Sequence, residues 1–352
     1  MKRRIIYLTF IVLLFTCLVG CKKEVADSWL YEYELQSDNT YKIIKASANK
    51  EKQDLGPIYI PLTYQNKKVT TIGSNAFMNN VYFTDGWYHS LHLGENITKI
   101  EENAFNGMPI GSIEIKENVR VIEANAFNCY NYIYCFHEKK PNGWDDDWAS
   151  KGEAIIFNYL ERKSNDIFNY VVLKNNEIVI TRAIAKEEKA QIIIPKTIDD
   201  MTVSRIANTT FKTIGWSKNY NYIGFIEEIT LPETITVLEK GVFEHLDNLK
   251  TVSFSEGNGI TKIEENAFRY CSKLETFEIG SEVLEIEKNA FYHCYSLEGM
   301  IIPLNVEIIG ENAFDYSYTE NGIYCVAESK PVGWSDDWSG ASWPVVWGYT
   351  GE

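Results

Sequence analysis

Ile263-Glu-Glu-Asn-Ala-Phe268 is one copy of a pattern that decides the fold: an aliphatic residue, three mostly polar residues, a small residue and Phe. Two further copies begin the series, Ile72-Gly-Ser-Asn-Ala-Phe77 and Ile100-Glu-Glu-Asn-Ala-Phe105, and Ile122-Glu-Ala-Asn-Ala-Phe127 closes a first group. A second group holds Ile206-Ala-Asn-Thr-Thr-Phe211, Leu238-Glu-Lys-Gly-Val-Phe243, the opening copy, Ile286-Glu-Lys-Asn-Ala-Phe291 and Ile309-Gly-Glu-Asn-Ala-Phe314. The Phe residues are 28 and 22 apart in the first group and 32, 25, 23 and 23 apart in the second, a period within the range of leucine-rich repeats.

Short alternating apolar runs sit between the motifs, among them Leu91-His-Leu93, Ile113-Glu-Ile115, Ile229-Thr-Leu231 and Val252-Ser-Phe254. Alternation of this kind predicts strands with one buried face. Pro232, Gly280 and Pro303 follow such runs and end them. A unit of this length has too little interior to fold alone, so the units must stack. Stacking puts Ile, Ala and Phe at equal heights in ladders. Asn before Ala either bonds the backbone at a turn or takes a left-handed conformation. The expected fold is a β-rich α/β repeat solenoid of leucine-rich-repeat type.

The two groups read as a duplication. Pro61, Val69, Ile72 and Phe77 match Pro195, Val203, Ile206 and Phe211 at an offset of 134. Near the ends Ile133-Tyr-Cys135, Lys140-Pro-Asn-Gly-Trp144 and Asp146-Asp-Trp148 match Ile323-Tyr-Cys325, Lys330-Pro-Val-Gly-Trp334 and Asp336-Asp-Trp338. Two tandem arrays follow, residues 30–160 with three Phe motifs and 161–352 with five, the polar stretch Glu161 to Asp166 marking the boundary. Each opens with a hairpin that serves as an N-terminal cap, Tyr31 to Ile44 turning at Ser37-Asp-Asn39 and Tyr170 to Ile180 turning at Asn175-Asn176. Each ends in a Trp-containing C-terminal cap, as solenoids need covered ends.

The N-terminus carries an export signal. A basic Lys2-Arg-Arg4 precedes an apolar run from Ile5 that ends at Gly20-Cys21, too short to span a bilayer. It resembles the bacterial lipobox, which implies a signal peptide over 1–20, lipidation of Cys21, a tether over 21–29, and an exported protein held by its lipid anchor at the cell surface. Acyl chains contribute about 0.8 kcal/mol per buried methylene.

The Ile-x-x-Asn-Ala-Phe ladder, the cysteines shortly after it and the closing Ile-Tyr-Cys with Lys-Pro-x-Gly-Trp resemble the BspA-type leucine-rich-repeat proteins over roughly residues 30 to 350. Members are typically surface proteins of host-associated microbes, some implicated in adhesion. The resemblance implies a protein-binding or adhesion role and carries over no binding residue.

Charge and chemistry narrow the classes. The formal charge of −15 becomes −18 once Lys2, Arg3 and Arg4 are removed, which disfavours nucleic acid. A host or other extracellular protein, or a glycan, is easier to accommodate. Beyond Cys21 the signal-free chain has Cys129, Cys135, Cys271, Cys294 and Cys325, an odd number without zinc-site spacing, read as buried apolar side chains. His89 and His92 lack a third ligand at typical spacing. Asp145-Asp-Asp147 and Asp336-Asp337, flanked by Trp, fit a calcium loop or sugar platform, or more simply a closing turn. No nucleophile elbow, phosphate loop or zinc-protease motif occurs, so neither enzyme activity nor a cofactor is expected. Both arrays place an aromatic insertion between their first two Phe motifs, giving Trp87, Tyr88, Trp216, Tyr220 and Tyr222 as candidate ligand-binding residues. These rings either form exposed contact patches or pack the entry of each array. A glycan-binding role and a structural envelope role remain beside the protein-binding one.

Loss of a single ladder ring, as in Phe268→Ala, is expected to destabilise the chain by roughly 3–5 kcal/mol in denaturant titration.

Overall fold

The computed structural model describes residues 29–48, 57–78, 89–108, 110–127, 132–149, 154–184, 191–211, 225–315, 322–340 and 344–351. These form a coil of short parallel strands. In the first array one sheet runs through Trp29–Leu35, Tyr41–Ala48, Lys67–Ile72, Lys99–Ile100 and Val121–Ile122. A second runs through Ile58–Tyr59, His89–His92, Ile110–Ile115, Tyr132–Cys135 and Ala154–Ile156. The second array repeats the arrangement. Glu228–Leu231, Thr251–Phe254 and Thr276–Phe277 line one side, and Val237–Leu238, Lys262–Ile263, Glu285–Ile286 and Ile308–Ile309 line another. Equivalent residues pair in register, as Ile229 with Val252 and Val252 with Phe277.

The Phe motif makes the remaining side. The N–H groups of Phe77, Phe105, Phe243, Phe268 and Phe291 each donate to the carbonyl of the Ala one turn on, at 2.7–2.9 Å. All eight motif Phe residues are buried, and successive rings lie 4.8–5.5 Å apart within each array. That separation is close to the spacing of hydrogen-bonded strands, so rings and backbone stack with one period.

The motif Asn takes the left-handed option. Asn75, Asn103, Asn125, Asn266, Asn289 and Asn312 have φ of 53–58° or, for Asn266, 62°, and Gly241 stands at the same place with φ 61°. Each also donates its N–H to the next turn at 2.7–3.2 Å. This corrects the α/β expectation: the described residues contain no α-helix. A left-handed residue in seven of the eight motifs interrupts any right-handed helix at that point.

Both hairpins are present. Trp29–Leu35 pairs antiparallel with Tyr41–Ala48, and Phe168–Leu173 with Glu177–Ala183. Asn39 and Asn176 supply positive φ in their turns. The Trp segments replace one motif each. Trp144 bridges Ile122 and Trp334 bridges Ile309, in the aliphatic place, while Trp148 and Trp338 accept from Phe127 and Phe314 in the Ala place. Their rings meet those Phe rings edge-on at 5.9 Å. Gly143 and Gly333 precede the first Trp because a Cβ there would lie 2.3 Å from the carbonyl of Arg120 or Glu307.

The boundary expected between residues 160 and 161 falls inside the strand Tyr159–Ser164, which pairs with Phe168–Leu173. Two large cores, from Trp29 to Trp148 and from Phe168 to Trp338, are joined by a smaller cluster that includes Tyr134, Tyr159, Val171 and Ala207.

Asn289→Gly is expected to leave stability nearly unchanged, whereas Asn289→Val, β-branched at a left-handed position, should cost about 1–3 kcal/mol. Paired chemical denaturation curves check the difference.

Candidate interaction surface

Two residues beyond Phe105, Phe243, Phe268 and Phe291 the chain turns left-handed again. After Phe105, in the first array, that place holds Gly107, φ 72°. In the second it holds His245, Tyr270 and His293, with φ of 62–63°. A side chain in this conformation costs about 1–2 kcal/mol that glycine avoids. The backbone is held there by the coil: His245, Tyr270 and His293 donate their N–H groups to Arg269, Tyr292 and Asp315 one turn on, at 2.9, 2.8 and 3.1 Å.

The outcome is a stacked column of rings on the surface. His245 lies 4.7 Å from Tyr270 at 17°, and Tyr270 lies 4.8 Å from His293. Tyr292 flanks His293 at 4.2 Å, and Tyr295, 41% exposed, hydrogen-bonds the His293 ring. The Arg269 guanidinium sits 4.6 Å from the Tyr270 ring centre and pairs with Glu244 at 3.0 Å. Burial holds the His293 imidazole below its usual pKa, with Asp315 opposing and Arg269 reinforcing the shift.

The sequence weighed the histidines only as metal ligands and so missed this column. Aligning the copies two places beyond Phe, where Gly107 gives way to His245, Tyr270 and His293, is the signal that finds it. The expected binding residues Trp87, Tyr88, Trp216, Tyr220 and Tyr222 lie outside the described residues, as do Cys21 and Cys129. The described ends of both insertions, Met78 at 41% and Phe225 at 51% exposure, leave apolar side chains in solvent.

The Asp loops resolve toward the closing turn. The Lys140 ammonium pairs with Asp146 and reaches the carbonyl of Trp144 at 3.3 Å; Lys330 does the same with Asp336 and the carbonyl of Trp334 at 3.4 Å. The Asp146 and Asp336 carboxylates are thus exposed and engaged by an ammonium of the same turn. Trp144, Trp148, Trp334 and Trp338 are 3–4% exposed and offer no sugar platform. His92 stacks on Tyr59 at 4.6 Å. Cys271 and Cys294 are buried, their thiols donating to the carbonyls of Phe243 and Phe268, and burial raises their pKa well beyond reactive range.

Parallel strands in register and one Phe per turn define a leucine-rich-repeat solenoid. A model of the BspA type leucine-rich-repeat region matches residues 40–141 and 212–325 in six copies, and the chain belongs to that family. Similar solved structures include a leucine-rich cell surface protein from Faecalibacterium prausnitzii A2-165 (18% identity, covering 89% of this chain and 96% of that one, TM-score 0.42). Others are the leucine-rich-repeat protein of T. pallidum (20%, 47% and 71%, TM-score 0.39) and the pneumococcal vaccine antigen PcpA (16%, 85% and 80%, TM-score 0.37). None of the curated proteins matches this chain.

Because the folded chain disfavours His293 protonation, its contribution to stability is present above the ordinary histidine pKa of 6.5 and is lost as pH falls through the depressed value. Melting temperatures measured from pH 7.5 to 5 should therefore fall less steeply for His293→Gln than for the parent chain.

Proposed function

We propose that this protein is a non-catalytic, exported lipoprotein, anchored through Cys21 at the bacterial cell surface, whose arrays bind a protein partner. The observation that carries the reading is the column His245–Tyr270–His293 with Arg269. Rings and guanidinium groups supply most anchor residues of protein interfaces, because they bury large area with few rotors. The second array keeps these side chains in a backbone conformation that opposes them, where one turn of the first array uses Gly107. Buried Phe ladders need no such arrangement, so the column's outward rings ask for a contact outside the chain. The insertions bearing Trp87, Tyr88, Trp216, Tyr220 and Tyr222 extend the contact surface in this reading, and the acyl anchor keeps it at the membrane.

The full chain in detergent is to be tested on paired arrays of extracellular-matrix proteins and glycans. The expected result is a saturable protein hit that weakens by about tenfold or more in Tyr270→Gly/His293→Gly, with little change in melting temperature. Glycine accepts the left-handed backbone, so a folding defect does not confound the comparison. Protein binding untouched by these changes but lost in Trp216→Ala/Tyr220→Ala would move the contact to the insertions. Silence on the protein array would defeat the proposal in favour of a structural role.

A further inference from the structure

A cleft of about 400 Å³ lies at the junction of the two arrays. One wall is the outer face of Ile110–Ile115 and Tyr132–Cys135; the other is the three-stranded start of the second array, Tyr159–Ser164, Phe168–Leu173 and Glu177–Ala183. The Tyr132 hydroxyl donates to the carbonyl of Thr181 and ties the walls together. The Tyr132 and Tyr134 rings are parallel, 5.9 Å apart. Arg162 lies 5.4 Å from the centre of the Tyr134 ring and donates to Ser112 Oγ at 3.3 Å.

The cleft's charge is opposite to that of the molecule. The chain has 49 acidic against 34 basic residues, yet Arg162, Lys163 and Arg182 line this cleft and no carboxylate does. The neighbouring acids are otherwise engaged: Glu161 pairs with Lys163 at 2.9 Å, Asp199 accepts from Tyr170 at 3.1 Å, and Glu114 pairs with Lys116 at 3.0 Å while standing 3.9 Å from Arg162. Arg182 has no ion pair among the described residues. The rest of the lining is hydroxyl, amide, glycine and tyrosine, with no aliphatic side chain.

We propose that the cleft binds an acidic saccharide residue, its carboxylate on Arg182 and Arg162, its ring against Tyr132, and its hydroxyls on Ser112, Ser164 and Asn169. A guanidinium meets a planar carboxylate through paired hydrogen bonds. The volume lies within the about 300–1,000 Å³ of small-molecule sites. The lining lacks an apolar pocket for a peptide side chain. The acidic surroundings repel a polyanion, so a single acid group on an otherwise neutral glycan fits best. This site is separate from the aromatic column and does not rest on it.

The test is calorimetric titration of the full chain in detergent with methyl glycosides of glucuronic, galacturonic and N-acetylneuraminic acids, beside methyl glucoside, acetate and an Asp-containing dipeptide. At least one acidic glycoside should bind about tenfold or more tightly than the glucoside, the acetate and the dipeptide. Arg182→Gln should remove about tenfold of that affinity, Arg182→Lys should restore part of it, and Lys196→Gln, whose partners are Glu233 and Glu256, should change nothing. Equal binding of the neutral glucoside, no binding of any acidic glycoside, or indifference to Arg182→Gln would each overturn the proposal. Tighter binding of the dipeptide would assign the cleft to peptide instead.

Discussion

Every turn of this coil must return to its starting height, and in six of the eight motifs the residue that makes it do so is the left-handed Asn before Ala–Phe. With φ positive there, the chain folds sharply enough for the Asn N–H and the Phe N–H both to reach carbonyls of the next turn. The Phe ring then has one position, stacked between its neighbours. Asn tolerates this conformation better than other side chains because its short amide adds little steric conflict. Burial of Phe supplies the driving force, but the left-handed joint fixes where that burial happens. The parallel sheets follow, since strands that begin at equal heights pair in register.

The ladder was legible in the sequence because it repeats: Ile, Ala and Phe recur at fixed separations, and each repeat is an independent sample of the same constraint. The hairpins were legible from their turn residues, Asn39 and Asn176 among them. The α/β expectation came with the leucine-rich-repeat type as a class, whereas in this chain the left-handed Asn within the motif turns the backbone where a helix would need right-handed residues. The outer column was missed for a different reason. His245, Tyr270 and His293 share a position but not a residue type, and no periodicity of hydrophobicity marks them.

The junction was the least legible region. The residues around its cleft are scattered from Ser112 to Arg182 along the chain. Glu161 to Asp166 looked like a polar linker, whereas most of it belongs to the strand Tyr159–Ser164, one face of which presents Arg162 to the neighbouring array. A polar run and a strand edge facing a cleft have the same composition. Three-dimensional pairing with Phe168–Leu173 is what tells them apart.

The tryptophans that end the first array have a mechanical consequence. Load passes along a solenoid only as far as its ladder is continuous, and the Phe ladder halts at Trp148 before resuming at Phe211. The molecule is therefore two springs in series. Between them lies a link built of the strand pairings Tyr132–Cys135 with Ala154–Ile156 and Tyr159–Ser164 with Phe168–Leu173, the Tyr132–Thr181 tie, the contacts of Tyr159 with Glu114, Arg162 with Ser112 and Lys174 with Glu117, and the small aromatic cluster around Tyr134. Load along the chain therefore crosses the seam between the two arrays through these hydrogen bonds, ion pairs and aromatic contacts, and not through a stacked column of Phe rings.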